Sequence, residues 1–147
     1  MLKGKTVVLG VTGCIAAYKA CEIVSSLKKK GATVIVIMTP HSTEFVQPLS
    51  FETLSGNRVI TDLFDRDFDF EVEHVALAKR ADVFVVAPAT ANTIGKIANG
   101  IADDMLTTTF IACKAPIFIC PGKNTNFYEI ENTTENIARL KKQGYKI

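Results

Sequence analysis

The sequence predicts an α/β protein built as a single-domain, doubly wound parallel sheet. Three observations point there. Short β-branched runs alternate with longer segments of helical periodicity, which implies right-handed crossovers between parallel strands. The runs are nearly continuous in apolar residues, as strands covered on both faces must be. The chain is 147 residues long with 48% hydrophobic and 22% charged residues, the size and composition of one ordinary globular domain.

The elements follow in order. Thr6–Val11 is the first apolar run. From Ile15 to Lys30 the apolar positions Ile15, Tyr18, Ile23, Val24 and Leu27 recur at helical steps, and Gly31 follows a basic last turn, the usual stop for a helix. Thr33–Met38 is the second strand. His41–Val46 and Leu49–Leu54 read as short helices parted by Pro48. Asp62–Glu73 is acidic and aromatic and reads as a surface loop. His74–Arg80 is a short helix feeding the strand Asp82–Ala87, which Pro88 is expected to end. Thr93–Asn99 and Asp103–Cys113 read as helices, Pro116–Pro121 as a strand bracketed by prolines, and Thr134–Lys142 as the last helix. Gly144–Ile147 opens one more strand, so the chain is expected to be a cut or unusually short domain.

Charge and cysteine usage narrow the function. Seventeen Lys and Arg against fifteen Asp and Glu give +2, which argues against a nucleic-acid partner. No apolar run approaches the roughly 18 residues of a membrane span. The N-terminus lacks a secretory leader's apolar region, so the expected address is cytoplasmic and the four cysteines are expected to be reduced. With no CxxC and no clustered histidines, no metal site is expected.

Ligands of open α/β sheets bind at the carboxyl ends of the strands. After the first run comes GVTGCIAAYK (10–19), whose small residues suit either a phosphate at a strand-to-helix turn or a turn packed tightly for its own sake. It matches neither GxGxxG nor a Walker loop. After Asp82–Ala87 comes PATANT (88–93), which would let a flat ring approach the backbone, or cap a helix through Thr90 or Asn92. Asp103 and Asp104 are neighbours on a helix and read as complements to its N-terminal dipole rather than as a catalytic pair. After the proline-bracketed strand comes PGKNTNFY (121–128), able to read a carboxylate or to form an Asn-rich turn. Of the two histidines, His74 is the acid/base candidate and His41 reads as a surface cap residue.

Together APATANTIGKIANGIADDMLT (87–107), GVTGCIAAYK (10–19) and PLSFETLSG (48–56) resemble the flavin-containing cysteine decarboxylases, and within them the branch acting in coenzyme A synthesis. The resemblance covers essentially the whole chain. It implies a Rossmann-like fold of flavoprotein type, spanning residues 1–147, and FMN as cofactor. Gly13, Cys14 and Ile15 match the turn at the FMN phosphate, with Cys14 in place of the commoner Ser or Gly. Thr39 matches another FMN contact, and Thr90, Ala91, Asn92 and Thr93 match the segment around the flavin. His74, followed by Val75-Ala76-Leu77-Ala78, matches the family's active-site histidine. Asn124 matches the asparagine of Pro-Ala-Met-Asn-x-x-Met-Trp, which holds the substrate carboxylate. Lys123, Phe127 and Tyr128 depart from that motif.

The activity so implied is decarboxylation of 4′-phosphopantothenoylcysteine to 4′-phosphopantetheine. Oxidation of the cysteine to a thioaldehyde creates the electron sink, carbon dioxide leaves, and the ene-thiolate is reduced again. The C-terminal clamp segment that carries the family's proton-donating cysteine has no counterpart among Cys14, Cys21, Cys113 and Cys120. Two alternatives stay open: a peptidyl-cysteine decarboxylase stopping at the ene-thiol, and a flavin-binding regulatory subunit without turnover. The resemblance also implies a homotrimer, or a higher assembly of trimers, and a synthetase either fused after Ile147 or separate.

Overall fold

Strand β1 (Thr6–Val11) lies inside the sheet, which is why its residues are apolar on both sides. It pairs in parallel with β2 (Thr33–Met38) from Thr6↔Thr33 through Val11↔Met38, and on its other edge with β3 (Val83–Ala89). β3 pairs in parallel with β4 (Ile117–Pro121), giving the order β2-β1-β3-β4. The computed structural model describes residues 1–63, 73–122 and 130–147, without the side chains of Glu73 and His74. Most of the expected loop Asp62–Glu73 and the whole segment 123–129 lie outside the described residues.

Alternation along the strands divides the interior into two cores. Val7, Leu9 and Val11 join Val34, Val36 and Met38 beneath α1 (Ala20–Lys29) and α2 (Pro48–Ser55), where Ala20, Val24 and Phe51 are buried. Val8, Ile35, Ile37, Phe84 and Val86 face the opposite way. They meet α3 (Glu73–Arg80), α4 (Ala91–Ala98), α5 (Met105–Ala112) and α6 (Glu131–Lys142) through Leu77, Ile94, Leu106, Phe110 and Leu140. Helices on both faces are what double winding means, and the expected fold class holds.

Several boundaries differ from expectation, by two residues at the starts of α4 and α5 and more tellingly at four other places. The helix read as Ile15–Lys30 opens with a 3-10 turn, Ile15–Lys19, before α1 begins. Apolar recurrence over a single turn does not separate 3.0 from 3.6 residues per turn. The segment expected at His41–Val46 is a second 3-10 turn, Pro40–Glu44. Pro88 does not end its strand: β3 runs on to Ala89 through a cis Ala87–Pro88 bond. The register with β4 shifts between Val86 and Ala89, so no ladder hydrogen bond is asked of the missing N–H. α6 starts at Glu131, three residues before the expected Thr134.

Both sheet edges carry a further bridge. Ile60 pairs with Ile37, and Lys146 pairs with Phe118, its N–H reaching Ile117 O at 3.1 Å. The strand opening read at Gly144–Ile147 is present as that bridge.

Gly10 shows why the second core closes. A Cβ there would stand 2.7 Å from Leu106 Cδ1 and 3.4 Å from Phe84 Cε1, both in fully buried side chains. The bare backbone lets α5 settle onto β1. Gly10→Ala is expected to cost about 1–3 kcal/mol, as overpacking does, read as a lower denaturant midpoint at unchanged m-value.

Candidate functional site

Three loops leave the carboxyl edge of the sheet side by side, from β1, β2 and β3. Between them lies an open cleft of about 300 Å³, the low end of the range for small-molecule sites. Gly13 comes from the first loop, Thr39, Pro40 and His41 from the second, and Thr90, Asn92 and Thr93 from the third, with Lys96, Asp103 and Asp104 completing the wall.

Each loop is held by its own short-range hydrogen bonds. Thr39 caps the 3-10 turn Pro40–Glu44, its Oγ1 accepting from Ser42 N at 3.3 Å, while Ser42 Oγ donates to Thr39 O at 2.7 Å. Thr90 caps α4 in the same way, accepting from Thr93 N at 3.2 Å. Asp104 caps α5 in a capping box with Thr107, accepting from Thr107 N at 2.8 Å. That is the helix-start role expected for it. Asp103 instead pairs with Lys96 at 3.0 Å across the rim. The Lys96 and Asp103 side chains are 25% and 56% exposed, so this pair contributes at most about 1 kcal/mol.

The loops are also tied to one another. Thr12, 1% exposed, donates from its hydroxyl to Pro88 O at 2.5 Å and accepts from Thr90 N at 3.0 Å. Gly122 N donates to Ala89 O at 2.9 Å, joining the end of β4 to the same loop. Gly13 sits so close to the second loop that a Cβ would lie 2.6 Å from His41 Cβ and 3.0 Å from His41 C.

Of the residues matched to FMN contacts, Gly13, Thr39, Thr90, Asn92 and Thr93 meet in the cleft. Cys14, Ile15 and Ala91 are not among its walls. Cys14 stands at the N-cap position of the first 3-10 turn without a side-chain capping bond, its sulfur 3.2 Å from where a Cβ of Gly122 would be; Ile15 is 75% exposed; and Ala91 is the first residue of α4. His41 is exposed, as its reading as a surface cap residue requires, but it does not cap: Thr39 does the capping, and His41 lines the cleft. Nothing in a lone histidine after a strand could have shown this. His74 is the second residue of α3. A helix feeding a parallel strand starts at the carboxyl edge, so its backbone lies at the correct end of the sheet, while its side chain lies outside the described residues. Asn124, with Lys123, Phe127 and Tyr128, also lies outside them.

All four cysteines are free thiols. Burial pushes the thiols of Cys21, Cys113 and Cys120 up from the ordinary cysteine value, and a backbone hydrogen bond only partly offsets this at Cys21 and Cys113. Because the thiolate is the reactive form, their alkylation is expected to lag behind a free cysteine peptide near pH 8.5. The gap should close as pH rises past the raised midpoint, as peptide mapping after iodoacetamide treatment would show. Among the described residues, no group of three or more His, Cys, Asp or Glu is placed to hold a metal, and no helix is long and apolar enough to cross a membrane.

Comparison with known proteins identifies the family of the chain. The Flavoprotein family model matches residues 1–147. The chain is 48% identical over 145 residues to the "Coenzyme A biosynthesis bifunctional protein CoaBC" of Bacillus subtilis, covering 99% of this chain but 36% of that protein. The chain therefore spans little more than a third of the bifunctional relatives it matches. It is 43% identical over 144 residues to the "Probable phosphopantothenoylcysteine decarboxylase" of Streptococcus mutans, covering 97% of this chain and 80% of that one. Among solved structures, the FMN-dependent cysteine decarboxylase SpaF superposes with a TM-score of 0.94 at 32% identity, over 100% of this chain and 85% of that one. A family match from the first residue to the last makes the chain a member of the Flavoprotein family.

Proposed function

We propose that the chain is an FMN-dependent decarboxylase converting 4′-phosphopantothenoylcysteine to 4′-phosphopantetheine in coenzyme A synthesis. The observation that carries the reading is the convergence of Gly13, Thr39, Thr90, Asn92 and Thr93, matched to FMN contacts by motif, in one cleft at the carboxyl edge. The donor set fits the cofactor. Hydroxyls and an amide line the cleft and a bare glycine backbone faces it, while the rim cation Lys96 is paired with Asp103.

Bound FMN would supply the two-electron chemistry that makes the cysteine carboxylate able to leave. The chain's own residues do the rest. Gly13 would hold the phosphate side, Thr39 would make a further FMN contact, and Thr90–Thr93 would lie around the flavin. His74 would act as base or electrostatic partner during oxidation, and Asn124 would orient the substrate carboxylate. The relatives' names support the substrate, and the bifunctional relatives support a synthetase partner. A homotrimer, or an assembly of trimers, in the cytoplasm completes the reading.

The test has two stages. The purified chain, alone or after incubation with FMN, should show bound-flavin absorption between roughly 300 and 550 nm. A colourless protein that takes up no FMN would overturn the cofactor assignment. Given 4′-phosphopantothenoylcysteine, the holoprotein should release the saturated thiol. Arrest at the ene-thiol, or turnover of a cysteine-ending peptide alone, would move the reading to the peptidyl-cysteine branch. No change in mass would leave a flavin-binding subunit.

A further inference from the structure

We propose that Thr12 is a positioning residue for the flavin site: its buried hydroxyl fastens the loop that faces the ring to the loop that faces the phosphate. This rests on the FMN reading above and concerns a residue that does not itself line the cleft.

Every polar atom of Thr12 has a task. Its carbonyl accepts from Cys14 N at 3.1 Å, which shapes the turn carrying Gly13. Its N–H donates to Pro88 O at 3.3 Å, and its hydroxyl donates to the same oxygen at 2.5 Å. That hydroxyl then accepts from Thr90 N at 3.0 Å. One side chain therefore grips the end of β3 and the start of the loop after it, on both sides of Ala89. Thr90 begins α4, so its position sets where Asn92 and Thr93 stand relative to Gly13. At 1% exposure no water competes for the hydroxyl. Valine has the same shape but can neither donate nor accept, and it would leave Pro88 O short of a donor and Thr90 N–H without its partner. Serine keeps both bonds.

The test compares FMN dissociation constants, by flavin fluorescence, for the unaltered chain, Thr12→Val and Thr12→Ser. The expected result is about tenfold or greater weakening for Thr12→Val, because the unclasped Thr90 lets Asn92 and Thr93 move relative to Gly13, with Thr12→Ser within about threefold of the unaltered chain. Equal affinity in Thr12→Val, or equal weakening in both variants, would overturn the proposal and leave the FMN reading intact. Failure of the unaltered chain to bind FMN would bring down both. If Thr12→Val does not fold, amide hydrogen exchange in the unaltered chain decides. The Thr90 N–H should be protected, and exchange at the rate of an open loop would overturn the clasp.

Discussion

Gly13→Ala is expected to lose FMN uptake by about a hundredfold or more and to destabilise the chain by about 1–3 kcal/mol. The added methyl would stand 2.6 Å from His41 Cβ, 3.0 Å from the His41 carbonyl carbon and 3.2 Å from Ser42 N. Two of those three atoms are backbone, so no side chain can swing away, and the loop after β2 must retreat from the loop after β1. That movement carries Thr39 and His41 out of a cleft they share with Gly13. The affinity loss should therefore exceed what the stability loss alone implies. Gly95→Ala is the control: its Cβ would meet only Asn136 Nδ2, at an ordinary 3.5 Å, inside α4. There alanine should leave flavin uptake unchanged and add up to about 1 kcal/mol through helix propensity. Flavin titration and urea unfolding of the two variants side by side would check both halves. Unaltered uptake in Gly13→Ala would remove the first loop from the cofactor site.

His74→Asn is expected to retain FMN and to lower decarboxylation by about 10²–10⁴-fold, the contribution of a positioned general base. Asparagine keeps hydrogen-bonding capacity and polarity but cannot hold the proton. The defect should thus appear in turnover rather than in cofactor affinity. The result is read by pairing the visible spectrum with product mass under single-turnover conditions. Undiminished turnover would take His74 out of the reaction, and loss of colour would give it a cofactor-binding role instead.

How much of this was legible in the residues depended on the range of the physics involved. β1 and β2 emerged at their correct bounds because runs such as TVVLGV and TVIVIM have one stable use, a strand covered on both faces. α4 and α5 were recognisable, but their starts were displaced by two residues because the cap and the first turn read alike without geometry. Pro88 misled for a longer-range reason. A proline stops a strand only where its N–H is needed, and whether it is needed depends on the register with β4, more than 25 residues further on. The cleft was legible as motifs but not as a set of walls. Gly13, Thr39 and Thr90 were identifiable one loop at a time, whereas His41 and Lys96 enter only through the side-by-side order of three strand ends. Thr12 stayed hidden because its meaning lies in a partner 76 residues away.

The separation of the interior by the sheet has a consequence for how the sequence can drift. Val8 and Leu9 are adjacent in the chain yet belong to different cores, one shared with α4, α5 and α6, the other with α1 and α2. Energetic effects add when sites share no partners and interact when they do. Compensating changes should therefore arise among residues on one side of the sheet, such as Phe84 with Phe110, whose rings meet edge-to-face at 6.2 Å. Each side can be rewritten while the other stands still, provided the strand ends that carry the side chains of the cleft keep their places.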